Sequence, residues 1–403
     1  MVKYLGGHPL YHGSTRTLES QSHCSSASAA AVAAAALPSP RLPPGKPEHR
    51  PADRLTCTSI SRICQRMIRR FANIVVEKGS SGNYSLHRLD VSKRLFYPST
   101  AVADAASKET GKMATLRLPA PVMRFHPLPT GSSWGVAKLD LFALLSPHSS
   151  EDKIFCSDSA GHNILYQADS NSIQSMPAFN SDKGLMPATI SVARPDAPLE
   201  DLYVLSSVMS SFEVLSFSSR SRHEDVQMSR KHWHWEPLPP PPFTAHLCSH
   251  TVVGDGNTIC VSDIGSCGCT YYFDTVKREW RKAAGDWVLP FAGRAEYIPD
   301  LKLWLGFAAG SHNLCAWDLS VMDKPPTLLV STDIKTPEDW SATRLNILNL
   351  GSGRFCIAKI FQVVDNTAGA SGWDIEDKFA VLTGVEMVMG GGEKKIERIT
   401  KQF

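Results

Sequence analysis

The chain has 403 residues, 42% of them hydrophobic, and a net charge of +3, enough apolar material for one large core or two smaller ones. Beyond the N-terminal stretch Lys, Arg, Asp and Glu are scattered evenly, so there is no whole-molecule basic field and nucleic acid is excluded as the expected partner. No run of about eighteen apolar residues occurs, so no helix of the sequence is expected to span a membrane.

Residues 1–53 are rich in Ala, Ser and Pro, as in SQSHCSSASAAAVAAAALPSPRLPPGKPEHRP. Such a segment buries too little apolar surface to offset the entropy of ordering it, so a disordered tail is expected. A tail added by a wrongly chosen start codon, or a secretory or organellar targeting piece, would read the same way. Over 54–70 the character changes: Ile60, Ile63, Cys64, Met67 and Ile68, with Phe71 beyond, fall at helical spacing among Arg62, Arg66, Arg69 and Arg70, predicting a short basic amphipathic helix. It resembles the last helix of an F-box, although Pro-rich sequence stands where the earlier F-box helices belong.

From Phe71 onward the period shifts toward two and turn residues recur every eight to twelve positions, the all-β pattern. NYSLHRLDVSKRLFYP, PVMRFHPLP, LDLFALLSP, KIFCSDSAG, HNILYQADS, PATISVARP, DLYVLSS and SFEVLSFS are strand candidates punctuated by turn residues, followed by a polar loop from Ser218 to Lys231. The stretch Thr270–Phe307 holds an aromatic strand (Tyr271 to Phe273) ending at Asp274, a TVKRE turn delivering Trp280, a break at Pro290 and Gly293, and further strands around Pro299-Asp300. Its size and contents suit a single propeller blade and resemble a kelch unit lacking the usual paired glycines. Asp169 and Asp318 end comparable strands. Thr336, Pro337, Glu338 and Asp339 form a helix start, predicting a short helix to about Thr343.

Candidate chemistry is sparse. Alternation in KHWHWEPLPPPPF puts His232 and His234 on one strand face with His246 and His250 nearby, a possible cation site, while Trp233 and Trp235 on the other face suit packing between blades. Cys267-Gly268-Cys269 lacks a second cysteine pair at zinc spacing and reads as a turn, and the ten cysteines are otherwise spread as small buried thiols would be, fitting a reducing compartment. Pro239 to Pro242 suits a stiff connection between blades, or a polyproline ligand. No phosphate loop, Gly-x-Ser-x-Gly elbow or His-Glu-x-x-His helix occurs.

Several segments together resemble one plant family of unknown function numerous in grasses, domain-of-unknown-function family 1668, whose members are predicted to be kelch-like propellers. The matching stretches are NYSLHRLDVSKRLFYPST, LFALLSPHSSEDKIFCSDSAGHNILYQADS, HWHWEPLPPPPF, the segment from Phe273 to Phe307, LGSGRFCIAKIFQVV and FAVLTGVEMV. They run in order from about Phe71 to the end. The resemblance implies an all-β, kelch-like β-propeller of about six blades over 71–403, behind the tail and the helix, and brings no catalytic, cofactor or metal residue with it.

The expected protein is a monomeric, non-catalytic interaction scaffold of the cytoplasm or nucleus, binding an unknown protein partner through propeller loops, chiefly Ser218–Lys231 and the insertion near Thr336. Two alternatives stand beside it: an F-box-like ubiquitin-ligase adaptor resting on the Arg-rich helix, and a metal-dependent or oxidase-type propeller enzyme resting on His232 and His234.

Overall fold

The computed structural model describes residues 2–4 and 69–397, apart from 79–81, 93, 98–101, 103–114, 128–138, 159, 185–186, 196, 207–210, 219–230, 244–246, 255, 264–267, 335–339, 365–374 and 391–392. Two compact units divide the chain, one of 1–9 with 66–403 and one of 10–65, and the second lies outside the described residues. Among the described residues twenty-four strands form four sheets of four and one of eight, the last made of two four-stranded blades joined by one parallel pairing.

Blade 1 holds β1 (Val2–Tyr4), β2 (Phe71–Lys78), β3 (Asn83–Asp90) and β4 (Met123–Phe125). Blade 2 holds β5 (Leu139–Leu144), β6 (Lys153–Asp158), β7 (Asn163–Gln167) and β8 (Ser172–Met176). Blade 3 holds β9 (Ala188–Val192), β10 (Asp201–Leu205), β11 (Phe212–Ser218) and β12 (His232–Pro237). Blade 4 holds β13 (Leu247–Val253), β14 (Thr258–Asp263), β15 (Thr270–Asp274) and β16 (Glu279–Lys282). Blade 5 holds β17 (Phe291–Ile298), β18 (Leu303–Ala308), β19 (Leu314–Asp318) and β20 (Thr327–Thr332). Blade 6 holds β21 (Ser341–Gly351), β22 (Arg354–Val364), β23 (Ile375–Gly390) and β24 (Glu393–Glu397).

Each blade buries its faces against its neighbours, and the apolar cores lie in the seams between them. Ile154, Cys156 and Tyr166 of blade 2 pack on Val75, Tyr84 and Leu86 of blade 1. The last seam closes the circle: Leu348, Leu350 and Ile360 of blade 6 pack on Ala72, Ile74 and Leu89 of blade 1. Four further clusters fill the seams between blades 2 and 3, 3 and 4, 4 and 5, and 5 and 6. The protein is a six-bladed β-propeller. Strands covered on both faces read as continuous apolar runs rather than alternating ones, and DLYVL of β10 is buried at every position. The outer strands invert that pattern, with four of five residues of β8 exposed.

In blades 2, 4 and 5 an Asp at or just beyond the end of the third strand closes the turn to the fourth. Asp274 Oδ1 accepts the amides of Val276 and Lys277, both at 2.9 Å, and Asp318 Oδ1 accepts that of Ser320 at 2.8 Å. Asp169 Oδ1 accepts the Ser170 amide at 2.8 Å two residues past the end of β7. Asp90 ends β3 in the same place, which makes β2 the counterpart of the second strands β6, β10, β14, β18 and β22.

Direction agrees with that assignment. The Arg69 amide, just before β2, donates to Leu350 O near the end of β21, and the Phe71 amide donates to Glu151 beyond the end of β5, so β2 runs against the inner strands of both neighbouring blades. In the other five blades the innermost strand is antiparallel to the second. In blade 1 the inner place is taken by β1, parallel to β2 and opposite Ile74 to Val76 alone.

Three expectations are corrected. The stretch Thr270–Phe307 is not one blade: β15 and β16 are the outer half of blade 4, and β17 and β18 the inner half of blade 5. Of the expected break at Pro290 and Gly293, Pro290 does stand just before a strand, but Gly293 does not interrupt the chain before Ala295, because β17 is continuous from Phe291 and absorbs it in a bulge, with Gly293 at φ 68. A helix reaching Thr343 is overturned, since Ser341 already begins β21, and its start at 336–339 lies outside the described residues. Within the expected tail only Val2–Tyr4 are described, as β1. Of the expected 54–70 helix only Arg69 and Arg70 are described, and both lead directly into β2.

Candidate functional site

The inner strands surround a central cavity of about 440 Å3. Its wall draws on β2 (Phe71, Asn73), β5 (Leu141 to Leu144), β9 (Ala188, Thr189, Ser191), β13 (Leu247, Cys248, His250), β17 (Ala292 to Arg294, Glu296) and β21 (Arg344 to Leu348). The charged residues in that wall are three arginines, Arg69, Arg294 and Arg344, and one glutamate, Glu296.

Each arginine reaches the wall by a different route. Arg294 and Glu296 sit two apart on β17 at the bulge and pair at 3.0 Å. The neighbouring inner strand β13 runs parallel and sets His250 beside Arg294. Arg69 precedes β2, and its Nη2 donates to Pro147 O at 2.8 Å, a neutral partner. Arg344 stands near the start of β21. Asn73 is 5% exposed; its Nδ2 lies 3.5 Å from Glu151 O, while its buried Oδ1 has no hydrogen-bond partner.

The electrostatics follow from removal of water. Burial pulls the Arg69 guanidinium below its usual range, against the opposing pull of Glu296. Burial lowers Arg344 in the same sense, opposed by Glu77. His250 is pushed down to about 3, first by burial and then by the Arg294 charge, and is neutral at physiological pH. Cys248, on the same wall, has its thiol raised by burial and donates to Ser262 O at 3.2 Å. The site therefore offers three guanidinium groups, one of them paired with Glu296, beside neutral polar groups, an arrangement suited to an anion.

Of the histidines and other candidate residues singled out in the sequence, His250 lies in this wall and the rest lie elsewhere. His232 and His234 share a face of β12, the outermost strand of blade 3, with ring centroids 5.3 Å apart. His250 belongs to an inner strand of blade 4, and His246 lies outside the described residues, so the histidines do not converge. Among the described residues no three His, Cys, Asp or Glu side chains gather in a metal-binding arrangement. Trp233 and Trp235 pack into the seam between blades 2 and 3, with Trp235 Nε1 donating to Pro177 O at 2.9 Å. The four-proline run is stapled to blade 4 by Trp280 Nε1, which donates to Pro239 O at 2.9 Å. Cys269 is buried, its amide donating to Asp263 at 3.0 Å, and Cys267 lies outside the described residues. The polar loop is likewise outside them over 219–230.

Sequence reasoning assigned Arg69 to an amphipathic helix and passed over Asn73, Arg294 and Arg344, because the four are brought to one wall only by closure of the ring. The one local signal was a lone cation inside an inner-strand pattern, as in FAGRAEYI and SATRLNILNLG.

No helix among the described residues is long and apolar enough to cross a membrane. No curated protein matches the chain. Similar solved structures include the β-propeller domain of Cps50 (Swd1) from Myceliophteria thermophila, 11% identical over 46% of this chain and 54% of that one, TM-score 0.31. An auxiliary nutrient binding protein from Bacteroides thetaiotaomicron is 7% identical over 64% of this chain and 56% of that one, TM-score 0.35. A chain of the nidogen/laminin complex is 12% identical over 62% of this chain and 76% of that one, TM-score 0.33. The chain thus spans little more than half the length of the first two. The profile of one family, described as a protein of unknown function (DUF1668), matches residues 69–402, and the chain belongs to that family.

Proposed function

We propose that the protein is a non-catalytic interaction scaffold that receives an extended segment of a protein partner along the outer edge of blade 5. The observation that carries this is β20. It ends its sheet, so among the described residues no strand pairs with its outer edge, and Leu328 and Leu329 are 55% and 42% exposed, with Val321 at 56% shortly before. Edge strands usually carry charges that discourage pairing. The corresponding strand β16 follows that rule with Glu279, Arg281 and Lys282, whereas TLLVST has no charge at all. An uncharged edge with apolar side chains is suited to strand addition, in which backbone hydrogen bonds give affinity and side chains give selectivity.

The non-catalytic part of the reading is supported by ionisation. His250 is held at about 3, and burial raises the thiols of Cys156, Cys260 and Cys356, so these groups are poorly poised for proton transfer or nucleophilic attack at neutral pH. All six described cysteines are free thiols, which supports a reducing compartment, the cytoplasm or nucleus.

The test is affinity purification of the full chain beside a Leu328→Lys/Leu329→Lys variant. Both positions are exposed, so the variant keeps its fold, and the wild type should recover a stoichiometric partner that the variant loses. Recovery of the same partner by both, or of none by the wild type, overturns the proposal.

A further inference from the structure

We propose that the central channel is a binding site for a small organic anion, bearing carboxylate or phosphate groups together with a hydroxyl, held by Arg69, Arg294, Arg344 and Asn73. The site is separate from the edge of blade 5, and either can fail without the other.

Charge is the first support. Three guanidinium groups and one carboxylate line the same cavity, and the carboxylate, Glu296, already pairs with Arg294. Withdrawing cations from water is unfavourable unless an anion compensates. The hydrogen bond from the Arg69 side chain to Pro147 O is to a neutral carbonyl and compensates only in part. Burial depresses both Arg69 and Arg344, so the wall holds its guanidinium groups largely away from water.

A second, independent support is the orphaned Oδ1 of Asn73, in a residue 5% exposed on the same wall. A buried acceptor without a donor costs about as much as a lost hydrogen bond, and a ligand hydroxyl supplies the missing donor. Asn73 reaches the wall because of the unusual first blade: β2 is a second strand by its direction, yet it faces the channel, and β1 runs opposite only Ile74 to Val76. Size is the third support, since about 440 Å3 falls within the usual range for small-molecule pockets. Guanidinium forks match carboxylate and phosphate geometry alike, so both head groups are included.

The experiment is calorimetric titration of the full chain at low ionic strength with three probes: citrate, tricarballylate, which is citrate without its hydroxyl, and inorganic phosphate. Citrate should bind one per chain and more tightly than tricarballylate. Arg69→Gln and Arg344→Gln should each weaken it by about tenfold or more, the scale of one lost charge-assisted hydrogen bond. Asn73→Leu should reduce the preference for citrate over tricarballylate. Exposed Arg117→Gln is the control and should change nothing. Thermal melting checks that each variant folds, and if one does not, the wild type alone decides: citrate must raise its melting temperature above that in sodium chloride of equal ionic strength. Absence of citrate and phosphate binding at about 10 mM, far weaker than a built site gives, overturns the proposal. So does binding that both arginine variants retain, the signature of adventitious surface attachment.

Discussion

Lys183 Nζ donates directly to Glu213 Oε1, with side chains 4% and 1% exposed, and this pair locks the connection between blades 2 and 3 onto the third strand of blade 3. Glu213 also accepts the Asn180 amide at 3.0 Å, the Ser181 amide at 2.9 Å and the Ser181 hydroxyl at 2.7 Å. Burial alone would raise its pKa, but these donors outweigh burial and hold it below the usual carboxylate range. Lys183→Met should therefore cost about 3–5 kcal/mol by leaving a buried carboxylate without its cation, while Lys183→Met/Glu213→Leu should recover much of the loss. Urea titrations of the three proteins measure this, and a single variant as stable as wild type would show the pair to be dispensable.

His250 sets an acid limit on stability. Its folded pKa of about 3 lies below the ordinary 6.5, so between those values the unfolded chain binds a proton that the folded chain rejects. Stability contributed by neutral His250 is present above 6.5 and is lost as pH falls toward 3, with a slope of up to about 1.4 kcal/mol per pH unit. Stability measured over roughly pH 5 to 6.5, above most carboxylate titrations, should decline less steeply in His250→Leu. Equal slopes in the two proteins would refute the assignment.

Closure of the ring depends on Gly384. A Cβ at this position of β23 would collide with the carbonyl oxygen of Leu95 in blade 1, at the seam between the last blade and the first. Gly384→Ala should destabilise by about 1–3 kcal/mol or more, because the clash is with backbone that cannot rotate aside. Gly256→Ala serves as the comparison: its φ of +85 imposes strain, but a Cβ there meets open space. A Gly384→Ala protein that melts no lower than Gly256→Ala would mean that the seam adjusts freely.

Trp280 joins blades 3 and 4 by ring contacts with Phe212, Phe243 and Phe273 and by its bond to Pro239. Being half-buried, it should cost about 2 kcal/mol when changed to Ala, less than a core tryptophan. Trp280→Phe should keep most of the packing and lose the hydrogen bond, about 1 kcal/mol. Thermal denaturation of both variants separates the two contributions.

Removal of residues 1–53 should leave the melting temperature within a degree or two of the full chain, because a segment of that composition forms no core of its own. A larger drop would assign a stabilising role to β1 along β2.

The fold was legible because its devices are local. Asp274 closes a turn through amides two and three residues away, and runs such as DLYVL and LWLGF announce strands covered on both faces. Blade boundaries were less legible. The connection after β16 passes to the next blade whereas the turn at Pro299-Asp300 closes a hairpin, yet both are marked in sequence only by turn residues such as Gly, Asp and Pro. Local turn chemistry does not encode which neighbour a strand pairs with.

By itself the sequence determined that the chain is all-β, built of short strands with Asp-ended turns, and set Trp233 and Trp235 on one face of a strand for packing with His232 and His234 on the other, since each follows from alternation and turn propensity over a few residues. The tertiary structure alone decided that β2 takes the second place in blade 1 with β1 parallel beside it, and that Arg69, Asn73, Arg294 and Arg344 share one cavity. Those residues are scattered over much of the chain, and only the closing of six seams into a ring, driven by apolar burial blind to the polar groups it encloses, brings them together.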